Sequence, residues 1–179
     1  MRPPFARTLP DLLEEQAARA PDAVAVISAG REVTYSALAR RARAVAAALR
    51  ARGLRRGDRV GLLLNNRVEF LEVCFGASAA GATVVPFSTW STRQELDFLL
   101  ADSGVRALFA LPGFGKESFA ESLRALVPEA AAGGAWRSSR FPALRELVMV
   151  DGEAPPGWLD YEALLGKAPP MPPLPPGEA

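Results

Sequence analysis

Arg59-Val60-Gly61-Leu62-Leu63-Leu64 is short, almost wholly apolar and bounded by turn residues, Gly57-Asp58 before it and Asn65-Asn66 after it. A strand of this composition has no polar face to give to water, and such strands are typically buried on both faces in a parallel sheet. The chain beyond it repeats the pattern. Asn65 or Asn66 reads as the cap of a helix over 67–80 that is apolar on most sides and ends at Gly81. Ala82-Thr-Val-Val-Pro86 then reads as a second buried strand. Thr92-Arg-Gln-Glu95 has the spacing of a capping box, opening a helix that turns Leu96, Leu99 and Leu100 inward and stops at Ser103-Gly104. Residues 105–111 make a third strand, 116–127 a fourth helix and 145–150 a fourth strand, with Ala130-Ala-Ala-Gly-Gly134 as a flexible loop between the last two. Strands alternating with helices mean βαβ units, and their crossovers bring the strands into a parallel sheet flanked by helices. The fold class is α/β.

Upstream of this core, Thr8 reads as an N-cap, with Pro10 and Asp11 in the first turn and Leu12, Leu13 and Ala17 along an apolar stripe. Residues 23–27 and 32–35, joined by Ser28-Ala-Gly30, form a hairpin signal. From Ser36 to Arg52, Leu38, Ala42, Val45 and Leu49 recur at helical spacing, and Arg40, Arg43 and Arg50 lie roughly opposite as a solvated face. Gly53 closes that helix. Downstream, 158–165 reads as a short amphipathic helix, and Ala168 to Ala179 as a polyproline-type linker.

Composition sets limits. The 179 residues suit one domain, and 49% apolar with 23% charged residues is ordinary for a globular chain. Without histidine there is no Ser-His-Asp or Cys-His system and no His-ligated metal. Cys74 is the only cysteine, so no internal disulfide or Cys-based zinc site can form. A net charge of +1 argues against a dedicated nucleic-acid binder. Residues 1–8 lack the apolar core of a secretory signal, and no 18-residue apolar run exists, so no membrane span is expected and a cytoplasmic location is the default.

The motifs that could carry chemistry have plainer readings. Eight arginines between Arg40 and Arg59 could meet phosphate, but no aromatics interleave with them. Gly53-Leu-Arg-Arg-Gly57 runs from helix to strand, the reverse of a phosphate loop. Asn65-Asn66 stands where doubly wound folds bind ligands, yet has no glycine for close backbone approach, and helix capping is the better reading. Gly113-Phe-Gly115-Lys116 resembles half of a Walker motif, but Glu117 stands where Ser or Thr would meet magnesium. Cys74, mid-helix among Phe70 and Phe75, reads as a buried inert thiol. The carboxylates form no acid/base pair.

A set of ordered words nonetheless resembles a known family. They are Thr34-Tyr35-x-x-Leu38, Gly53-x-x-x-Gly57-Asp58-Arg59-Val60, Asn66-x-x-Glu69-Phe70, Gly81-Ala82-x-x-Val85-Pro86, and Glu95-Leu96 with Asp102-Ser103. In this order, over Thr8 to about Phe109, they are similar to the N-terminal part of the AMP-forming adenylate-forming enzymes, the acyl-CoA synthetases and acid–CoA ligases. They are scaffold words. Ala37 stands where many members have the Glu that completes a capping box with Thr34, and Ser88-Thr89-Trp90 replaces a loop that in some relatives approaches CoA, with Arg93 nearby. The lack of Asp-Pro there weighs against an amino-acid-activating domain.

The resemblance implies the first part of an acetyl-CoA synthetase-like N-terminal domain. Residues 1–167 would be an incomplete portion of the large adenylate-forming domain, and 168–179 a Pro-rich linker. It implies ATP, magnesium and CoA as cofactors of the parent family, and a small-molecule carboxylic acid as the partner, with no nucleic acid and no membrane span. The family's Ser/Thr/Gly-rich phosphate loop ending in Pro-Lys-Gly does not occur, nor do its later catalytic motifs. The expectation is therefore an N-terminal fragment that is inactive alone, with no catalytic, cofactor-binding or metal residue assigned. The competing reading is a non-catalytic α/β interaction module or remnant. A sheet lacking its later neighbours would leave an open edge and an exposed apolar face.

Overall fold

The structure, a computed structural model, describes residues 8–173. The expectations for residues 1–7 and for the linker over 174–179 lie outside the described residues. The chain divides into two compact units, one of residues 8–57, 66–83 and 167–173, the other of 58–65 and 84–166.

The first unit holds α1 (Leu9–Arg19), the strands β1 (Val24–Ser28) and β2 (Arg31–Thr34), α2 (Tyr35–Ala51) and α3 (Val68–Ala79). Thr8 caps α1 by accepting a hydrogen bond from the Asp11 backbone N–H. β1 and β2 pair antiparallel, with Ser28 opposite Arg31 across the two-residue turn Ala29-Gly30. Both turn residues have positive φ, 50° and 75°, as a type I′ turn requires. Leu13, Leu38, Ala39 and Ala42 form the core of this unit, with Ala17, Ala25, Val33, Tyr35, Leu71 and Phe75 packed around it. Leu12 is the exception to its expected stripe and is exposed. α2 and α3 approach closely at Gly76, where an added Cβ would stand 2.5 Å from the Val45 Cβ and 2.6 Å from the Ala42 carbonyl oxygen.

Of the α2 arginines expected on a solvated face, Arg43 is the departure, being half-buried, while Arg50 is exposed but tethered. Arg43 reaches Glu14 of α1 at 2.8 Å, Arg41 reaches the buried Glu72 of α3 at 3.0 Å, and Arg50 donates to the Ala79 carbonyl at 2.6 Å. Arg40 is exposed, as expected. The capping of α3 is a second correction. Its N-cap is Arg67, whose side chain makes no capping bond, so Asn65 and Asn66 stand two residues and one residue too early. The first turn gets its negative charge from Glu69 instead.

The second unit is built on a parallel five-stranded sheet in the order β4-β3-β5-β8-β9. Its strands are β3 (Arg59–Leu63), β4 (Thr83–Pro86), β5 (Ala107–Ala110), β8 (Glu146–Met149) and β9 (Leu159–Asp160). Val60 pairs with Ala107, Ala107 with Glu146, and Val148 with Leu159. β5 and all but the first residue of β3 and of β8 are buried, as their apolar sequences require. β4 is not the doubly buried strand expected: it is the edge strand, half-buried at most, and Pro86, which has no N–H to donate, ends it there.

Between the strands lie α4 (Arg93–Ser103), the small hairpin of β6 (Gly113–Phe114) and β7 (Glu117–Ser118), α5 (Phe119–Leu126), a 3-10 helix (Pro128–Ala132) and α6 (Tyr161–Gly166). The capping box of α4 is complete: the Glu95 N–H donates to the Thr92 hydroxyl at 3.4 Å and the Thr92 N–H to the Glu95 carboxylate at 2.7 Å. α4 buries Leu96 and Leu100, and Leu99 is half-buried. The helix expected over 116–127 is shorter, because the chain first reverses at Gly115 (φ 60°) to form β6–β7, and Ser118 then caps α5. The loop expected over 130–134 is partly the 3-10 helix. The helix expected over 158–165 gives up Leu159 and Asp160 to β9, and Tyr161 secures α6 by an edge-to-face contact with Phe109 of β5 at 6.1 Å.

Candidate functional site

The strand order places a site before any side chain is considered. From β3 the chain moves to β4 on one side, then crosses to β5 on the other, and β8 and β9 continue in that direction. In open α/β sheets ligands bind outside the carboxyl ends of the strands, where the order reverses. Here that point lies between the carboxyl ends of β3 and β5. The ladders run slightly past the strands there: Leu111 N–H donates to the Leu63 carbonyl, Phe87 N–H to the Leu62 carbonyl, and Val150 N–H to the Ala110 carbonyl.

Asn65 emerges at this point, and its side-chain Oδ1 is buried without a hydrogen-bond partner. A buried polar atom left unpaired costs free energy, on the order of 1–3 kcal/mol, and a bound water or ligand donor would relieve that cost. Phe87 to Ser91 leave β4. Trp90 stands 78% exposed and meets the Phe114 ring edge-to-face at 5.5 Å, while Ser91 is buried. The β6–β7 hairpin, with exposed Lys116 at its tip, surrounds an open recess of about 420 Å³. A second open recess, of about 460 Å³, lies against Ser91, Gln94, Glu95, Phe98 and Leu99. Arg93 is exposed on the first turn of α4. This end of the sheet thus offers aromatic surface, two cations and an unpaired amide oxygen.

It offers no acid/base pair. The hydrogen bonds from Thr92 hold the Glu95 carboxyl below the usual range and commit it to the cap. Asp97 is likewise lowered, by its hydrogen bonds to Arg140. Cys74 is only half-buried, less than expected, but burial pushes its thiol up, away from the thiolate that would react. Gly113 to Lys116 is a hairpin rather than a phosphate loop, because its N–H groups do not open a helix. No group of three acidic or cysteine side chains able to hold a metal ion comes together among the described residues. No helix among them is long and apolar enough to cross a membrane. Sequence reading marked Asn65 and Trp90 but missed Phe114, whose role depends on a hairpin that hydrophobic periodicity does not announce.

The family described as AMP-binding enzyme matches residues 13–173. The feruloyl-CoA synthase of Amycolatopsis sp is 41% identical over 152 residues, which are 84% of this chain and 28% of that protein. The fatty acid–[acyl-carrier-protein] ligase ScoC of Streptomyces coeruleorubidus is 34% identical over 143 residues, 77% of this chain and 27% of that protein. Among solved structures, the anthranilate CoA ligase AuaEII in complex with anthranoyl-AMP superposes with a TM-score of 0.74 at 23% identity, covering 93% of this chain and 29% of that one. The chain spans less than a third of the length of the curated relatives it matches.

Proposed function

The chain belongs to the family of AMP-binding enzymes, and on that premise we propose that it is the N-terminal portion of an ATP-dependent, AMP-forming acid–CoA ligase. The observation that carries the reading is the 41% identity to a feruloyl-CoA synthase over most of this chain. In this reaction a carboxylate attacks the α-phosphorus of ATP, releasing pyrophosphate and leaving an acyl-adenylate. The CoA thiol then attacks the acyl carbon, and AMP departs. Both steps need donors and cations aimed at developing negative charge.

In this reading residues 1–167 are part of the larger adenylate-forming domain and 168–179 a Pro-rich linker, and the reaction belongs to the cytoplasm. A small-molecule carboxylic acid is the substrate, and fatty acids are one candidate class, since a relative is a long-chain-fatty-acid–CoA ligase. Among the described residues no cluster of acidic side chains makes a magnesium site, so no step through the metal is assigned to them. No catalytic, cofactor-binding or metal residue is assigned to this chain, and its contribution is the scaffold.

Two measurements test this. The 179-residue chain alone should give no acid-dependent exchange of pyrophosphate into ATP, and turnover by the isolated chain would contradict the reading. A chimera carrying residues 8–173 in place of the matching part of the Amycolatopsis feruloyl-CoA synthase should still form feruloyl-CoA. A chimera that unfolds cooperatively yet forms no CoA thioester would count against it.

A further inference from the structure

The chain leaving the carboxyl end of β3 enters α3 without a side-chain cap. Arg67 is the N-cap and makes no capping bond, while Asn65 and Asn66 stand too early to supply one. The first N–H groups of a helix have no partner within it, and a start that nothing holds frays. Glu69 meets that need from inside the first turn. Its carboxylate accepts from its own backbone N–H. Its Oε2 lies 2.6 Å from the Arg67 Nε, and its Oε1 lies 3.7 Å from the Arg31 Nη2.

The two oxygens are thus divided between two guanidinium groups. One belongs to the connection between β3 and α3. The other belongs to the first residue of β2, beside the turn of the β1–β2 hairpin. Arg67 alone would hold Glu69 in a pair only two residues apart. Arg31 adds an anchor from outside both the connection and the helix. The Glu69 side chain is 15% exposed, so its charge is less screened than that of an ordinary surface carboxylate. Connections at the carboxyl ends of parallel strands carry ligand contacts, and they do so well only when a supporting set of charges and hydrogen bonds holds them.

We infer that Glu69 is a positioning residue: paired to Arg67 and Arg31, it fixes residues 65–67 where they leave β3 and ties their placement to the hairpin. The inference rests on the ligase reading for the reaction that this connection serves. Both oxygens of Glu69 are occupied, so it acts through the connection and not on a substrate. Asn65, with no capping to do, keeps its Oδ1 unpaired at the switch point.

Hydrogen exchange in the full 179-residue chain tests the tie. Glu69→Gln and Arg31→Gln should each speed exchange of the amides of 66–69 about threefold, and the double variant should do no more than Glu69→Gln alone. Arg19→Gln, which breaks the exposed Arg19–Glu15 pair of α1, should leave those amides unchanged. Kinetics of the feruloyl-CoA synthase chimera test the role. A loss of folded enzyme lowers kcat and leaves every KM as it was, whereas a displaced connection alters the hold on a substrate. Glu69→Gln and Arg31→Gln should therefore raise KM for ATP, CoA or ferulate by a similar factor, about fivefold. Exchange that ignores Arg31→Gln, or an active chimera in which all three KM values stay unchanged, would overturn the proposal. A chimera inactive before any substitution counts instead against the ligase reading, and the exchange rates still decide the tie.

Discussion

Gly76 is where one missing methyl group sets the distance between two helices. The Ala42 carbonyl, 2.6 Å from an added Cβ, is backbone and cannot swing aside. Gly76→Ala gains helix propensity but overpacks the α2–α3 contact, so it should destabilise by about 1–3 kcal/mol, read as a lower urea midpoint with unchanged slope. Glu69 carries the pH dependence. Burial alone would raise its carboxyl, but hydrogen bonds from Arg67 and its own backbone, with the charges of Arg67 and Arg31, hold it below the usual range. A carboxyl lowered by folding contributes stability above its unfolded pKa, and that contribution is lost as pH falls through the folded value. Stability should therefore drop on acidification from neutral pH, and Glu69→Gln should flatten that drop in urea titrations at successive pH values.

Two elements carry local flaws that substitution can mend. The β1–β2 turn holds Ala29 at φ 50°, which costs a residue with a Cβ roughly 1–2 kcal/mol. Ala29→Asn gives the Asn-Gly pair that a type I′ turn favours and should raise the thermal midpoint. α2 has half a capping box: the Thr34 hydroxyl accepts from the Ala37 N–H at 3.2 Å, but Ala37 has nothing to return. Ala37→Glu should stabilise by about 0.5–1 kcal/mol, an effect that Thr34→Ala in the same background abolishes. Elements like these were readable because their signals are local. Thr92 and Glu95 make the expected box, and Leu38, Ala42, Val45 and Leu49 are all buried as their spacing implies. β9 was not readable, since two residues carry no periodicity and their pairing with β8 is a tertiary event. The β6–β7 hairpin was hidden for the same reason, and with it the Trp90–Phe114 pair. The ties of Arg41 and Arg43 escaped because a helical wheel shows which way an arginine points and not which carboxylate another helix brings to meet it.

Across the whole molecule, exposed apolar side chains are distributed over both units. Ile27 of β1 is 66% exposed, as is Phe98 of α4, and Leu9 and Val24 are also uncovered. With β4 at an open sheet edge, the isolated chain should self-associate with rising concentration. The pair Ile27→Lys and Phe98→Lys should lower light scattering at a given concentration and leave the unfolding midpoint nearly unchanged, since neither side chain is packed. The same strand order has a consequence in time. The β3–β5 and β5–β8 ladders join segments far apart in sequence, Val60 to Ala107 and Ala107 to Glu146. High contact order slows folding, and during synthesis the chain appears from its amino terminus. β4 emerges soon after β3 and can shield one flank of that apolar strand. The other flank must wait, unpaired, until β5 has left the ribosome, and over that interval residues 60–63 present an uncovered apolar strand edge to any chaperone at the exit.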